Sequence, residues 1–268
     1  IAGLQRAALS MRGRDRASVA QFVDDFSGRY HLILDYLTDE VLHRQPQGVQ
    51  SFLLRTAILN RMCGPLCDAV LGELELPPGQ QMLEQIDAAN LFVAPLDDER
   101  AWYRYHHLFA ELLQARLHAT QPDAIPELHR RAAAWYEQGG FSAEAVHHAL
   151  ATGEDGLAAE VIERAILRIA TWSGTDVAVM QRWLTALPEQ AMEARPWLRL
   201  FHARVLYVTG EPELAGQALR TLEAWLRDHP AAPDADRLLR LALVDRASYA
   251  TVLGHVGETK ALAHEVLD

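Results

Sequence analysis

Apolar residues recur every three or four positions through the first third of the chain, which is the spacing of amphipathic helices. Tyr30, Leu34 and Leu37 begin one such stripe. Pro65 and Gly72 fit the first turn and the stop of a short helix between them. The pattern predicts helices over residues 1–12, 29–45, 47–59, 65–72 and 79–89.

The period changes after Asn90, where strand-forming residues replace the helical stripe. Residues 91–93, with Pro95 suited to an edge strand, and residues 101–105 are predicted to form two strands of a hairpin, joined by a turn at Asp97–Arg100. A helix is predicted to follow over residues 106–119. Several helices, a hairpin wing and a closing helix together describe a winged-helix domain.

Beyond Gln121-Pro122 the strand signals disappear, and Ser142 and Thr175 stand where helix N-cap residues belong. Residues 207–215 and 253–263 share one pattern, since each stretch closes a helix, turns at Gly-Glu and opens another. Stacked helical pairs related to tetratricopeptide repeats have this organisation. The predicted helices span residues 124–138, 142–151, 155–171, 176–187, 196–209, 213–228, 234–253 and 258–267. The predicted fold is therefore mainly α, a winged helix followed by a superhelical repeat region.

The basic residues exclude one class of enzyme. Against 36 Asp and Glu the chain has 25 Lys and Arg, for a net charge of −11, and Lys260 is its only lysine. A phosphate-binding P-loop needs Gly-Lys-Ser/Thr, whereas Lys260 lies between Thr259 and Ala261. Neither a His-Glu-x-x-His zinc motif nor a Gly-x-Ser-x-Gly elbow occurs. We expect no catalytic residues, no metal site and no enzymatic activity in this chain.

Acidic residues dominate the predicted winged helix. Between Arg61 and Arg100 there is no basic residue. DNA-binding domains draw much of their affinity from neutralising phosphates, so this stretch argues against groove binding by the helix over 79–89. The acidic residues of the stretch are Asp68, Glu73, Glu75, Glu84, Asp87, Asp97, Asp98 and Glu99.

Other features of the sequence bear on where the protein resides in the cell and on whether the sequence is a whole protein. No apolar run reaches the length of a membrane span, and no secretory signal opens the chain. With only Cys63 and Cys67, both expected to be buried core residues, the chain fits a reducing cytoplasm. Because the sequence opens at Ile1 in the middle of an apolar helix, we expect it to be a fragment of a longer protein.

Six segments resemble the winged-helix region of MalT-like, LuxR-type ATP-dependent transcriptional activators, which are STAND-family NTPases. Residues 1–10 are similar to the end of the NTPase helical lobe in that family, and residues 141–268 resemble its repeat arm in style. The resemblance implies an NTPase tail and linker over 1–27, a winged helix over 28–121 and a sensor arm over 122–268. The matching segments are Tyr36–Leu42, Phe52–Leu59, Leu66–Val70, Leu83–Val93, Trp102–Phe109 and Leu128–Tyr136.

The resemblance also implies the parts that surround such a fragment. An upstream NTPase module in the same polypeptide would bind ATP or ADP, and a downstream domain would bind DNA. The fragment itself would hold no cofactor and contact no membrane. Bound ADP would keep the protein closed, and a small-molecule inducer or a protein on the repeat arm would allow nucleotide exchange, self-association and transcription activation.

Two residues are candidates for nucleotide contact through the resemblance. Tyr105-His106-His107 occupies the place of a Met-His-Asp motif whose histidine lies against the nucleotide β-phosphate in many relatives, so His106 would be the sensor. Arg104 is the second candidate phosphate partner. The alternative is that His106 caps or packs the closing helix.

Two other functions stay open at this stage. The chain could be a protein-interaction scaffold whose winged helix only caps the repeats, or the winged helix could bind DNA directly. Four tryptophans supply aromatic surface to a repeat-arm binding site or, alternatively, belong to the core between helices. These are Trp172, Trp183, Trp197 and Trp225.

Overall fold

A computed structural model describes residues 41–169 and 173–267. The helix predicted over 1–12 and most of the one predicted over 29–45 lie outside this part. Contacts divide the chain into two compact units, one ending at Leu128 and the other beginning at His129. The domain borders expected from the sequence remain predictions.

The first unit has the predicted order of helices, hairpin and closing helix. A 3₁₀ turn at Pro122–Ala124 then leads into α5 (Ile125–Gln138). Its preceding elements are α1 (Gln47–Thr56), α2 (Gly64–Leu71), α3 (Gly79–Ala88), β1 (Val93–Pro95), β2 (Tyr103–Tyr105) and α4 (His107–Thr120).

The apolar stripes of these helices meet in one core. Fully burying one large apolar side chain contributes about 1.5–3 kcal/mol to folding, so the buried apolar residues of this core dominate the stability of the unit. The Thr56 hydroxyl lies 2.6 Å from the Tyr105 hydroxyl within this core and donates to the Phe52 carbonyl at 2.7 Å, so both buried polar groups are satisfied. The core residues include Phe52, Leu53, Met62, Leu66, Leu83, Ile86, Phe109 and Leu113.

The hairpin is short and antiparallel, with Val93 opposite Tyr105 and Pro95 opposite Tyr103. Met62 extends it by exchanging two backbone hydrogen bonds of 2.8 Å with Tyr103. The predicted turn forms, and its Asp97 carboxylate accepts the backbone N–H groups of Ala101 at 2.7 Å and Trp102 at 3.1 Å.

The first strand was expected to begin at Leu91, and this start is wrong by two residues, whereas Pro95 lies in the strand as expected. Asn90 and Phe92 have φ angles of 52° and 56°, in the left-handed region that a strand excludes. The chain can therefore enter the sheet only at Val93.

The described part of the second unit consists of helices joined by short turns. Seven of them follow the predicted positions closely, and the five-residue α9 was not predicted. Beyond α5 the elements are α6 (Ser142–Ala151), α7 (Asp155–Leu167), α8 (Gly174–Thr185), α9 (Glu189–Glu193), α10 (Pro196–Val208), α11 (Pro212–Asp228), α12 (Ala235–Val252) and α13 (Val256–Leu267).

Both predicted N-caps are wrong. Ser142 is the first residue of α6 and follows the N-cap Phe141. The N-cap of α8 is Ser173, whose hydroxyl accepts the N–H of Asp176, while the Asp176 carboxylate accepts the N–H of Ser173. This reciprocal capping box starts α8 before Thr175.

Two successive helical pairs, α10–α11 and α12–α13, confirm the repeat organisation. Each pair turns at a glycine with a positive φ, 94° at Gly210 and 77° at Gly254, which a side chain would disfavour. Tyr207 and Tyr249 stack with ring centroids 3.8 Å apart and join the two pairs. The fold is mainly α, as predicted.

Candidate functional site

The hairpin exposes the two residues singled out by the resemblance. Side chains alternate along β2, so Tyr103 and Tyr105 are buried while Arg104 and the following His106 are exposed. Arg104 pairs with Ala94 of β1 and forms no ion pair with the described residues. Two cationic or potentially cationic side chains thus lie on the exposed side of the hairpin.

His106 links the hairpin to the closing helix through its backbone. Its N–H donates to the Phe92 carbonyl at 2.7 Å, and its carbonyl accepts the N–H groups of Phe109 at 3.0 Å and Ala110 at 2.9 Å. His106 is the N-cap residue of α4, but its imidazole makes no capping hydrogen bond. Its ring lies 4.5 Å from that of His107, and the imidazole is left exposed for another contact.

Helix α3 occupies the position of a recognition helix and presents an acidic surface. Glu84 is exposed, and Asp87 forms an ion pair of 3.2 Å with Arg100 of the turn. No basic residue lies on α3 itself. A surface with this charge repels a phosphate backbone, as the sequence predicts.

The two cysteines belong to the core, as predicted. Both are buried thiols without a disulfide. Burial raises the pKa of the Cys67 thiol and keeps it protonated. Within residues 41–169 and 173–267, no three metal-ligating side chains come together.

A groove of about 830 Å³ lies in the described part of the second unit. It runs along α7 and α9 and reaches the start of α10, the end of α11 and the loop that precedes α12. Trp197, Trp225 and Leu167 supply its large apolar surfaces, and Arg195 and Glu163 form an ion pair of 3.5 Å within it. Its size falls within the range of small-molecule sites.

The two groove tryptophans are held in place by polar partners. The Trp197 indole N–H donates to the Asp234 carboxylate at 3.1 Å, and Asp234 adopts a left-handed φ of 59°. Trp225 stacks on His229 with ring centroids 4.4 Å apart. Trp183, in contrast, is a core residue, and Trp172 lies outside the described residues.

A pair formed by the half-buried His129 and the buried His148 joins α5 to α6. The Nδ1 atoms of His129 and His148 lie 2.8 Å apart, so one must donate and the other accept. His148 is 2% exposed and stacks on Tyr136 at a centroid distance of 5.4 Å. The sequence does not reveal this pair, because the two histidines are 19 residues apart and apolar periodicity does not show that they meet.

Comparison with known proteins finds matches to parts of this chain. Residues 38–125 match the family model described as the MalT winged helix domain. The chain is 33% identical over 239 residues to the serine/threonine-protein kinase PknK of Mycobacterium tuberculosis, covering 88% of this chain and 21% of the relative. It is 36% identical over 208 residues to the HTH-type transcriptional regulator MalT of Yersinia pestis, covering 76% of this chain and 22% of the relative.

The chain thus spans about a fifth of the length of the curated relatives it matches. In the part of the chain that the structure describes, no helix has both the length and the apolarity to cross a bilayer.

Proposed function

Because residues 38–125 match the family model of the MalT winged helix domain, we propose that this chain is the non-catalytic regulatory portion of an ATP-dependent transcriptional activator. An upstream module of the same polypeptide would bind ATP or ADP, and a downstream domain would bind DNA. Activation would proceed by self-association in the cytoplasm. One relative is named a kinase and another a transcriptional regulator, which supports a shared regulatory role for the matched region.

The observation that carries the proposal is the exposed side of the hairpin at Arg104 and His106. Guanidinium and imidazole N–H groups bind phosphate through charge-assisted hydrogen bonds. His106 is also tied by its backbone to Phe92 before β1 and to the first turn of α4. A phosphate contact at the imidazole would therefore bias the positions of both elements, which is how the winged helix would relay the nucleotide state.

The repeat unit would receive the signal in the groove at Trp197 and Trp225. Its apolar surfaces and its few fixed polar groups, such as Arg195, suit a small-molecule inducer. If the chain is instead a protein-interaction scaffold, we expect a segment of a partner protein to occupy the same groove.

If the winged helix bound DNA directly, its DNA-contacting surface should be basic. Non-specific duplex binding rests on phosphate neutralisation, and α3 supplies Glu84 and Asp87 instead of basic residues. We expect the 268-residue chain to leave a labelled duplex free in fluorescence anisotropy at 50 mM salt. Duplex binding that weakens as salt rises to 200 mM would overturn the assignment and favour a DNA-reading winged helix.

A further inference from the structure

A second cavity of about 280 Å³ lies between the two helical pairs, apart from the tryptophan groove. It is bounded by the start of α11, the end of α12 and the turn into α13. Its volume is below that of most drug-sized sites and equals roughly nine water molecules. The cavity is therefore of a size for a small metabolite and not for a nucleotide.

One wall of this cavity is Arg246, whose side chain is 16% exposed and has unused hydrogen-bonding capacity. The Arg246 Nη1 donates to Glu223 Oε2 at 2.5 Å, and the Glu223 side chain is only 1% exposed. The Arg246 Nε is also buried but has no hydrogen-bond partner, and neither has Glu223 Oε1. Burial raises the pKa of the Glu223 carboxyl, an effect that Arg246 opposes. A buried charged pair with unsatisfied atoms calls for a further polar group.

Two more charged residues line the cavity without an ion-pair partner among the described residues. Arg220 lies on α11, and Glu213 lies in the first turn of that helix. Glu258 of α13 is only loosely engaged, at 3.5 Å from Arg246 Nε and 3.7 Å from His255 Nδ1. The cavity thus combines two guanidinium groups with two carboxylates that are open to a ligand.

Apart from Gln217 and His255, the rest of the lining is largely apolar. Tyr249 and Leu253 form part of the wall, and the neighbouring Leu214, Val252 and Val256 are exposed by 49%, 67% and 63%. These three aliphatic side chains adjoin lining residues along the chain and would give the polar site an apolar rim. Such a rim would cover a hydrophobic side chain of a ligand whose charged end is held inside.

The signs of the charges decide the class of ligand. A phosphate or dicarboxylate would be repelled by Glu213 and Glu258, and a simple cation would be repelled by Arg220 and Arg246. We propose that this cavity binds a free α-amino acid with an aliphatic side chain, its carboxylate on Arg220 and Arg246 and its ammonium group on Glu213 and Glu258. The site is independent of the proposed groove for an inducer.

Isothermal titration of the 268-residue chain with leucine tests the proposal. We expect leucine to bind. Leucinamide, which lacks the carboxylate, and 4-methylpentanoate, which lacks the ammonium group, should each bind at least tenfold more weakly than leucine. Glycine, without the side chain, should also bind at least tenfold more weakly. The proposal would be overturned if leucine did not bind at concentrations on the order of 10 mM, or if all four compounds bound with equal affinity.

Two substitutions place the binding in this cavity. Arg220→Gln removes an exposed guanidinium and should weaken leucine binding at least tenfold, and Arg240→Gln on the exposed surface of α12 is the matched control. Circular dichroism of both variants checks that they fold. Leucine binding that survives Arg220→Gln, or that is lost equally in Arg240→Gln, contradicts the assignment.

Discussion

Single residues with buried polar groups determine how this chain responds to acid. His129 and His148 share one hydrogen bond between Nδ1 atoms 2.8 Å apart, so these two nitrogens cannot both carry a proton. Burial, with the nearby His129 and His147, lowers the pKa of His148 to about 3. Tyr136, on the other ring face, supplies no charge to offset protonation.

This pair predicts a loss of stability as the pH falls. The pKa of His148 is near 6.5 when unfolded and about 3 when folded, so the unfolded state binds more protons between these values. The free energy of unfolding should fall by about 2 kcal/mol between pH 6.5 and pH 5, as measured by urea denaturation. His148→Gln should flatten this dependence, while His118→Gln, at an exposed position of α4, should keep it. An unchanged slope in His148→Gln would show that the pair does not carry the effect.

At the scale of elements, periodicity predicts which segments are helical but not how they meet. Nearly every helix of the described part was predicted, because apolar spacing reports the buried face of each helix. The capping box at Ser173 and the late entry of β1 at Val93 were missed. The first depends on a reciprocal pair of hydrogen bonds, and the second on two left-handed residues, neither of which an apolar pattern encodes.

The close approach of α2 and α3 gives a prediction at this scale. A Cβ on Gly79 would lie 2.5 Å from the Gly64 carbonyl oxygen and 2.9 Å from the Cys67 Cβ. Because backbone atoms must then move, Gly79→Ala should destabilise the chain by about 1–3 kcal/mol in urea denaturation.

Gly156→Ala is the matched control, since a Cβ at that position in α7 meets nothing within 4 Å. It should leave stability unchanged or raise it by up to about 1 kcal/mol. Equal effects of the two substitutions would show that the approach of α2 to α3 is not as tight as described.

At the scale of the whole molecule, each unit has its own chemistry. The first unit carries the exposed Arg104 and His106 beside an acidic α3, and the second carries the groove and the smaller cavity. The hairpin residues could be singled out through family resemblance, because they are close in sequence. For the groove, the sequence could name Trp197 and Trp225 only as candidates, since the groove brings together segments from Asp155 to Asp234 whose proximity depends on helix packing.

The central claim is that the winged helix senses the bound nucleotide, and ADP affinity of the full-length protein tests it most directly. His106→Ala should weaken ADP binding by about tenfold or more, because a charge-assisted hydrogen bond to phosphate is lost. His118→Ala, at the exposed end of α4, should bind ADP like the unmodified protein. Unchanged ADP affinity in His106→Ala would contradict the account and favour a scaffold in which the winged helix only caps the repeats.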